Sequence, residues 1–249
     1  MNNGRKIRGV IFDMDGLMLD SEVVYQASMQ LAGKEFGIPI GPKDFARTIG
    51  IRSADSRKIV AEIVGAERVD DFFAAWRRHE AVYLAANPIQ RKPGLDELLA
   101  FLRQRNIPRA VATSTRRVRA MARMETTGLA GEFVHVVCGD EVAEGKPAPD
   151  IFLAAAKLIG VPATECVVLE DSEAGVRGAK AAGCVAIMVP DLKQPSAEVR
   201  GLADAVVGDL GEAMRMVRGM VAAITMPTIT TNSVDEAWLT TSRVRPAPP

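Results

Sequence analysis

The chain has 249 residues, enough for one large domain or for a core that carries an insertion. Hydrophobic residues make up 48% and charged residues 25%, as in ordinary globular proteins, and 31 basic residues balance 31 acidic ones, so no global basic field favours nucleic acid. No apolar run approaches the ~20 residues that span a bilayer, and Asp13 and Asp15 interrupt the apolar stretch after the basic N-terminal residues, which speaks against a secretory signal.

The first predicted element is a strand that runs into Ile11-Phe12-Asp13-Met14-Asp15-Gly16. Its run from Ile7 to Phe12, broken by Arg8 and Gly9, has the β-branched and aromatic character of a buried parallel strand. Asp13 and Asp15 stand two residues apart, so they can start on one face of the strand, and Gly16 allows a tight turn beside them. Two carboxylates at the carboxyl edge of a parallel sheet suit a magnesium ion, which takes hard oxygen ligands and recruits phosphate. An acidic turn after a strand is the alternative, and on this stretch alone the two weigh equally.

Residues 17–37 read as a helix, with Asp20 or Ser21 as its cap and Gly37 as its stop. Further helical segments follow near 43–49, 54–65 and 69–86, and no convincing strand lies between Gly16 and Pro88. An all-helical block between two strands is the signature of an inserted domain, placed at 17–90 and dividing the core into 1–16 and 91–224. Leu95, Leu98, Leu99 and Leu102 then mark one helix face. Arg109 to Thr113 reads as a strand running into Ser114-Thr115, followed by a helix over 116–127 that Gly128 stops. A strand at 133–138, a loop from Glu144 to Asp150 and a helix over 151–159 capped by Asp150 come next. A strand at 166–169 runs into Glu170-Asp171-Ser172, and helix 173–182, strand 185–189, a short strand near 205–207 and a helix over 210–223 complete the pattern. Strands alternating with helices predict an α/β fold with a Rossmann-like parallel sheet. From Thr225 the composition turns to Thr, Pro and Ser and predicts a mobile tail, with docking of Trp238 as the alternative. Cys138, Cys166 and Cys184 lie in or beside strand-like runs and read as small buried hydrophobes of a reducing, cytoplasmic setting. His79 and His135 are isolated, so no Cys/His set has zinc spacing.

The chemistry-bearing residues all sit where a strand ends. Asp13 and Asp15 follow the first strand, Thr113 and Ser114 the second, Lys146 the third, and Glu170 and Asp171 the fourth. Parallel strands share one carboxyl edge, so these residues can converge. Their types fit phosphoryl transfer: a carboxylate nucleophile, a second carboxyl to move protons, a hydroxyl and amides to hold phosphate oxygens, and a lysine with a metal to offset charge. Taken singly, Lys146 reads as a solvated lysine, Thr113 as a helix cap, and Glu170-Asp171 as helix-capping acids. Their joint occurrence favours the functional reading.

With Asp13-Met14-Asp15-Gly16 joined in order to Thr113, Gly145-Lys146-Pro147 and Val168-Leu169-Glu170-Asp171-Ser172, the chain resembles the haloacid dehalogenase superfamily over about residues 7–223. The nearest branch is the one with a helical cap, which includes β-phosphoglucomutase and many small-molecule phosphatases. The resemblance implies that fold, with an inserted all-helical cap domain. It implies Asp13 as nucleophile and magnesium ligand, and Asp15 as acid/base with its backbone carbonyl on the metal. It implies Thr113 and the Ser114 amide on the phosphate, Lys146 as charge neutraliser, and Asp171 with neighbouring Glu170 on the magnesium. The dehalogenases of the superfamily lack the second acid, so Asp15 argues for phosphate chemistry.

Candidate substrate readers in the cap are Glu22, Tyr25, Arg47, Arg52 and Ser53, the last two in a stretch, Ile49 to Asp55, that resembles the cap loop over the site. The chain departs from β-phosphoglucomutase in having Tyr25 where the mutase carries a cap histidine, and Ser53, with Arg52 beside it, where the mutase carries a cap-loop arginine. The expectation is a phosphatase acting on a phosphorylated sugar or similar small metabolite through an aspartyl-phosphate. A phosphosugar mutase is the alternative, and a non-catalytic binding protein on the same fold the third reading. The expected partner is a small phosphorylated metabolite, neither nucleic acid nor membrane. Monomer and dimer are both compatible with the sequence.

Overall fold

Among the described residues six short strands form the sheet: β1 (Gly9–Phe12), β2 (Arg109–Thr113), β3 (His135–Cys138), β4 (Cys166–Glu170), β5 (Val185–Met188) and β6 (Ala205–Val206). They are taken from a computed structural model that describes residues 6–48 and 53–221, with the backbone alone for 53–55. Arg52 and the Thr/Pro-rich segment from 225, with Trp238, lie outside the described residues. All strand pairs are parallel, in the order β3-β2-β1-β4-β5-β6. Every residue of β1 and β4 is buried, without the alternation of a one-sided sheet, because helices cover both faces.

On one face α5 (Leu95–Gln104), α6 (Arg117–Thr126) and α10 (Leu210–Met220) pack Leu98, Leu102, Met124 and Val217 around Phe12. On the other α7 (Asp150–Leu158), α8 (Glu173–Ala181) and α9 (Ala197–Leu202) pack Phe152, Val176 and Val199 around Ile11 and Val168. The chain winds from β1 outward to β3 and then returns to β4 on the other side of β1. That reversal opens a crevice at the carboxyl ends of β1 and β4, where open α/β sheets take their ligands.

The crossover from β1 to β2 holds four helices, α1 (Glu22–Glu35), α2 (Pro42–Ala46), α3 (Ser53–Val64) and α4 (Val69–Ala86), with their own apolar centre of Met29, Phe45, Val60 and Phe72. Chain enters and leaves this block side by side. Leu19 bridges Arg91, the Asp20 amide donates to Gln90 O at 2.9 Å and the Lys92 amide to Met18 O at 2.8 Å. The Lys92 ammonium closes the junction, donating to Asp20 Oδ1 at 3.0 Å and Asp191 Oδ1 at 2.6 Å.

The elements differ from the sequence reading in four places. Helix α1 begins at Glu22 rather than 17, because Leu17, Met18 and Leu19 are drawn into the sheet's apolar layer and the Gly16 amide donates back to Leu19 O. Neither Asp20 nor Ser21 caps it through a side chain, since the Ser21 hydroxyl is given to Asp15. Asp150 opens α7 without a side-chain cap bond. Helix α9 was not anticipated; the Ser196 hydroxyl caps it by accepting from the Val199 amide at 3.3 Å. Among the described residues no helix is long and apolar enough to cross a membrane.

Candidate active site

Strand register assembles the site. Phe12 lies beside Val111 and Leu169, so Asp13, one residue on, falls level with the ends of β2 and β4, and its amide donates to Leu169 O at 3.0 Å. Lys146, on the loop after β3, is buried there. Its ammonium donates to Asp13 Oδ1, to Glu170 Oε1 at 2.6 Å and to Ala112 O at 3.0 Å, which uses all three of its protons. Glu170 Oε2 accepts from the Ser172 amide at 2.8 Å and hydroxyl at 2.9 Å, and the same hydroxyl caps α8 through the Gly175 amide. A Cβ at Gly175 would stand 1.8 Å from Glu170 Oε1, so only glycine lets α8 approach. Gly16, at φ +84°, is needed twice: for its backbone conformation, and because a Cβ there would stand 2.3 Å from Asp171 Oδ2.

Charge in this pocket is out of balance. Asp13, Glu170, Asp171 and Glu22 are buried, with Lys146 as the ammonium in their midst. Burial, only partly offset by Lys146 and reinforced by Glu170 and Asp15, raises Asp13 to about 7. Burial with Glu170, Asp13 and Glu22 nearby raises Asp171 well above the carboxylate range. Burial, then Asp15, Asp191 and Asp13, raises Glu22 to about 8. For Lys146 burial acts downward, but Asp13 and Glu170 outweigh it and hold the ammonium charged.

Oxygens of Asp13, Glu170 and Asp171 lie within 4.8 Å of one another. Both oxygens of Glu170 are already engaged by Lys146 and Ser172. The Asp171 carboxylate accepts no hydrogen bond from the described residues. Asp13 and Asp171 are therefore the carboxylates with acceptor capacity to spare, and a divalent cation fits a buried, hard-oxygen set with surplus negative charge.

In the same cavity lining Asp15 accepts three side-chain hydrogen bonds from the described residues. Ser21 Oγ donates to Oδ1 at 2.8 Å, Arg123 Nη1 to Oδ1 at 2.6 Å and Thr115 Oγ1 to Oδ2 at 2.7 Å. Thr113 Oγ1 accepts from the Thr115 amide at 3.1 Å. A cavity of about 400 Å³ joins these groups to the helical block: Asp13, Asp15, Thr113, Ser114, Lys146 and Asp171 line its core side, and Glu22, Tyr25, Phe45, Trp76, Arg77 and Glu80 the other. The hydroxyls of Ser114 and Tyr25 are buried in its lining without a hydrogen-bond partner among the described residues, ready for oxygens of a bound molecule.

All core residues anticipated from sequence thus meet at one place. Of the anticipated cap residues, Glu22 and Tyr25 line the cavity. Arg47 instead borders a separate cavity of about 290 Å³ and pairs with Glu62. Arg52 and the Ser53 side chain lie outside the described residues. Thr115, Arg123 and Glu80 were missed. Arg119 and Arg123 stand four residues apart on α6 and both line the cavity, a cationic pair after a strand end that could have pointed to Arg123.

Residues 7–183 match the family model of the haloacid dehalogenase-like hydrolases. The chain is 31% identical over 177 residues to the phosphorylated carbohydrates phosphatase of Thermotoga maritima, a match covering 71% of this chain and 82% of that protein. It is 36% identical over 184 residues to Protein SUPPRESSOR OF QUENCHING 1, chloroplastic, of Arabidopsis thaliana, covering 71% of this chain and 17% of that protein. Among solved structures, CbbY from Rhodobacter sphaeroides in complex with phosphate aligns with a TM-score of 0.70 at 25% identity, over 83% of this chain and 96% of that one.

Proposed function

Because the chain belongs to the haloacid dehalogenase-like hydrolases, we propose that it is a magnesium-dependent phosphatase that hydrolyses a phosphorylated sugar or similar small metabolite through an aspartyl-phosphate. The observation that carries this is the pairing of two differently equipped acids at one cavity. Asp13 is bound to Lys146 and stands beside Asp171, while Asp15 is held by hydroxyls and Arg123.

A carboxylate oxygen of Asp13 attacks phosphorus, and the bond from phosphorus to the leaving oxygen breaks as Asp15 hands that oxygen a proton. Asp15, now ionised, takes a proton from water; the water oxygen attacks phosphorus and inorganic phosphate leaves, restoring Asp13. Lys146 holds Asp13 in place and offsets charge gathering on phosphate. The hydroxyls of Thr113 and Ser114 are placed to hold phosphate oxygens. The carboxylates of Asp13 and Asp171, with the main-chain carbonyl of Asp15, would hold magnesium, which when bound neutralises the negative charge shared by carboxylates and phosphate. Helices α1–α4, from Glu22 to Ala86, act as a cap that excludes water and reads the rest of the substrate through Glu22 and Tyr25. Cys138, Cys166 and Cys184 are buried and form no disulfide among the described residues, which suits a reducing cytoplasm.

The similarity to the phosphorylated carbohydrates phosphatase supports the sugar-phosphate class. The test is phosphate release from a panel of sugar monophosphates with and without magnesium. The expected result is metal-dependent release that needs no bisphosphate activator. Rapid conversion of β-glucose 1-phosphate to glucose 6-phosphate with a trace of the 1,6-bisphosphate, and little free phosphate, would replace this reading by the mutase.

A further inference from the structure

We infer that Arg123 is a positioning residue that aims Asp15 and ties its placement to the docking of the helical block; the inference rests on the reading of Asp15 as the acid/base. Arg123 stands in the last turn of α6 with its side chain 9% exposed. Its Nη1 donates to Asp15 Oδ1 at 2.6 Å and to Thr115 Oγ1 at 3.2 Å, and the Thr115 hydroxyl in turn donates to Asp15 Oδ2 at 2.7 Å. Both oxygens of the carboxylate are therefore fixed from one side. Ser21, at the entrance to α1, holds Oδ1 from the other. An aspartate on a turn has two free side-chain torsions, and a proton can be handed over only within hydrogen-bond reach of the leaving oxygen. Arg123 and its two hydroxyl neighbours remove that freedom.

The outer half of the same guanidinium faces the helical block. The Tyr25 ring lies 4.7 Å from Arg123 Cζ, and Glu80 Oε1 lies 3.8 Å from Nη2. Arg119, one turn earlier on α6, donates to Glu80 and sits over the same ring at 5.7 Å. Tyr25 belongs to α1 and Glu80 to α4, so two helices of the block rest on an arginine that belongs to the core. A planar guanidinium suits this double duty, offering donors along its edge and a face for the ring. Lifting the block strips Arg123 of Tyr25, Glu80 and the Ser21 bond to Asp15 together. Closure over the substrate and the aiming of the acid are then one event.

Two esters of nearly the same shape test this. Phenol needs a proton to leave far more than p-nitrophenol does, so misplacing the acid penalises phenyl phosphate selectively. The ratio of kcat/KM for the two esters, measured on one preparation with magnesium, is independent of the fraction folded. In Arg123→Ala the ratio of phenyl to p-nitrophenyl phosphate should fall about tenfold or more, a part of the roughly 10²–10⁴ that general acid catalysis supplies, because the acid is misplaced and not removed. Arg123→Lys should recover part of it. Tyr25→Leu and Glu80→Gln should lower the ratio by smaller factors, and should lower it no further when combined with Arg123→Ala. Equal losses on both esters in Arg123→Ala and Arg123→Lys would overturn the inference and leave Arg123 a structural ion pair. Absence of phosphate release from both esters by the unaltered protein would overturn the phosphatase reading itself.

Discussion

Lys146 shows how closely single residues are matched here: three protons, three acceptors, and a buried setting that an unpaired ammonium would not tolerate. Asp13→Asn keeps the shape but makes the nucleophile an amide, so turnover should fall by about 10⁴ or more while the melting temperature stays within a few degrees; the loss of any burst of p-nitrophenol and of steady-state phosphate release would register it. Glu22 allows a pH prediction. Its carboxyl is raised from an ordinary 4.5 to about 8, so between those values the folded protein keeps a proton that the unfolded chain has released. The stability from this group is complete below about pH 4.5 and is lost as pH rises through about 8. In metal-free protein, Glu22→Gln should melt above wild type at pH 8.5, and the gap should close toward pH 5. Each kcal/mol would appear as about 2–4 °C. Asp13, Asp15, Thr113, Lys146 and Asp171 were legible in the sequence because each follows a strand run that marks its depth. Arg123 and Glu80 were not, since each stands inside a helix and its relevance depends on which face the helix turns inward.

At the scale of elements, the start of α8 combines two duties. Ser172 caps the helix and also donates to Glu170, the carboxylate that orients Lys146. Ser172→Ala should cost about 1 kcal/mol as a lost cap, read from urea unfolding, and should lower kcat more than a surface cap of equal cost, because Glu170 loses a donor. The strands were readable to within a residue or two from continuous apolar runs such as Cys166 to Leu169. The beginning of α1 was not. Leu17, Met18 and Leu19 continue a helical apolar pattern, yet their burial comes from the sheet's apolar layer and not from the helices that follow. Helix α9, six residues long between a Pro-containing loop and a two-residue strand, is too short for its periodicity to show.

For the whole molecule, the side-by-side entry and exit of the helical block has a consequence for the order of folding. Strand β1 must find β2 across the entire block, from Phe12 to Arg109, before the sheet has a centre. Closing so long a loop is entropically costly and slow. If α1–α4 collapse first, the Leu19–Arg91 bridge brings the ends together and shortens the loop that remains roughly fourfold, a gain of about 1 kcal/mol at about 0.6 per doubling. Phe72 is fully buried in the block and packs edge-on against Phe36 at 5.4 Å, far from any strand. Phe72→Ala should nonetheless slow refolding of the sheet by about five- to tenfold, seen in the folding arm of a chevron plot. The insertion that splits the core in sequence would then serve as the clip that lets its first two strands meet.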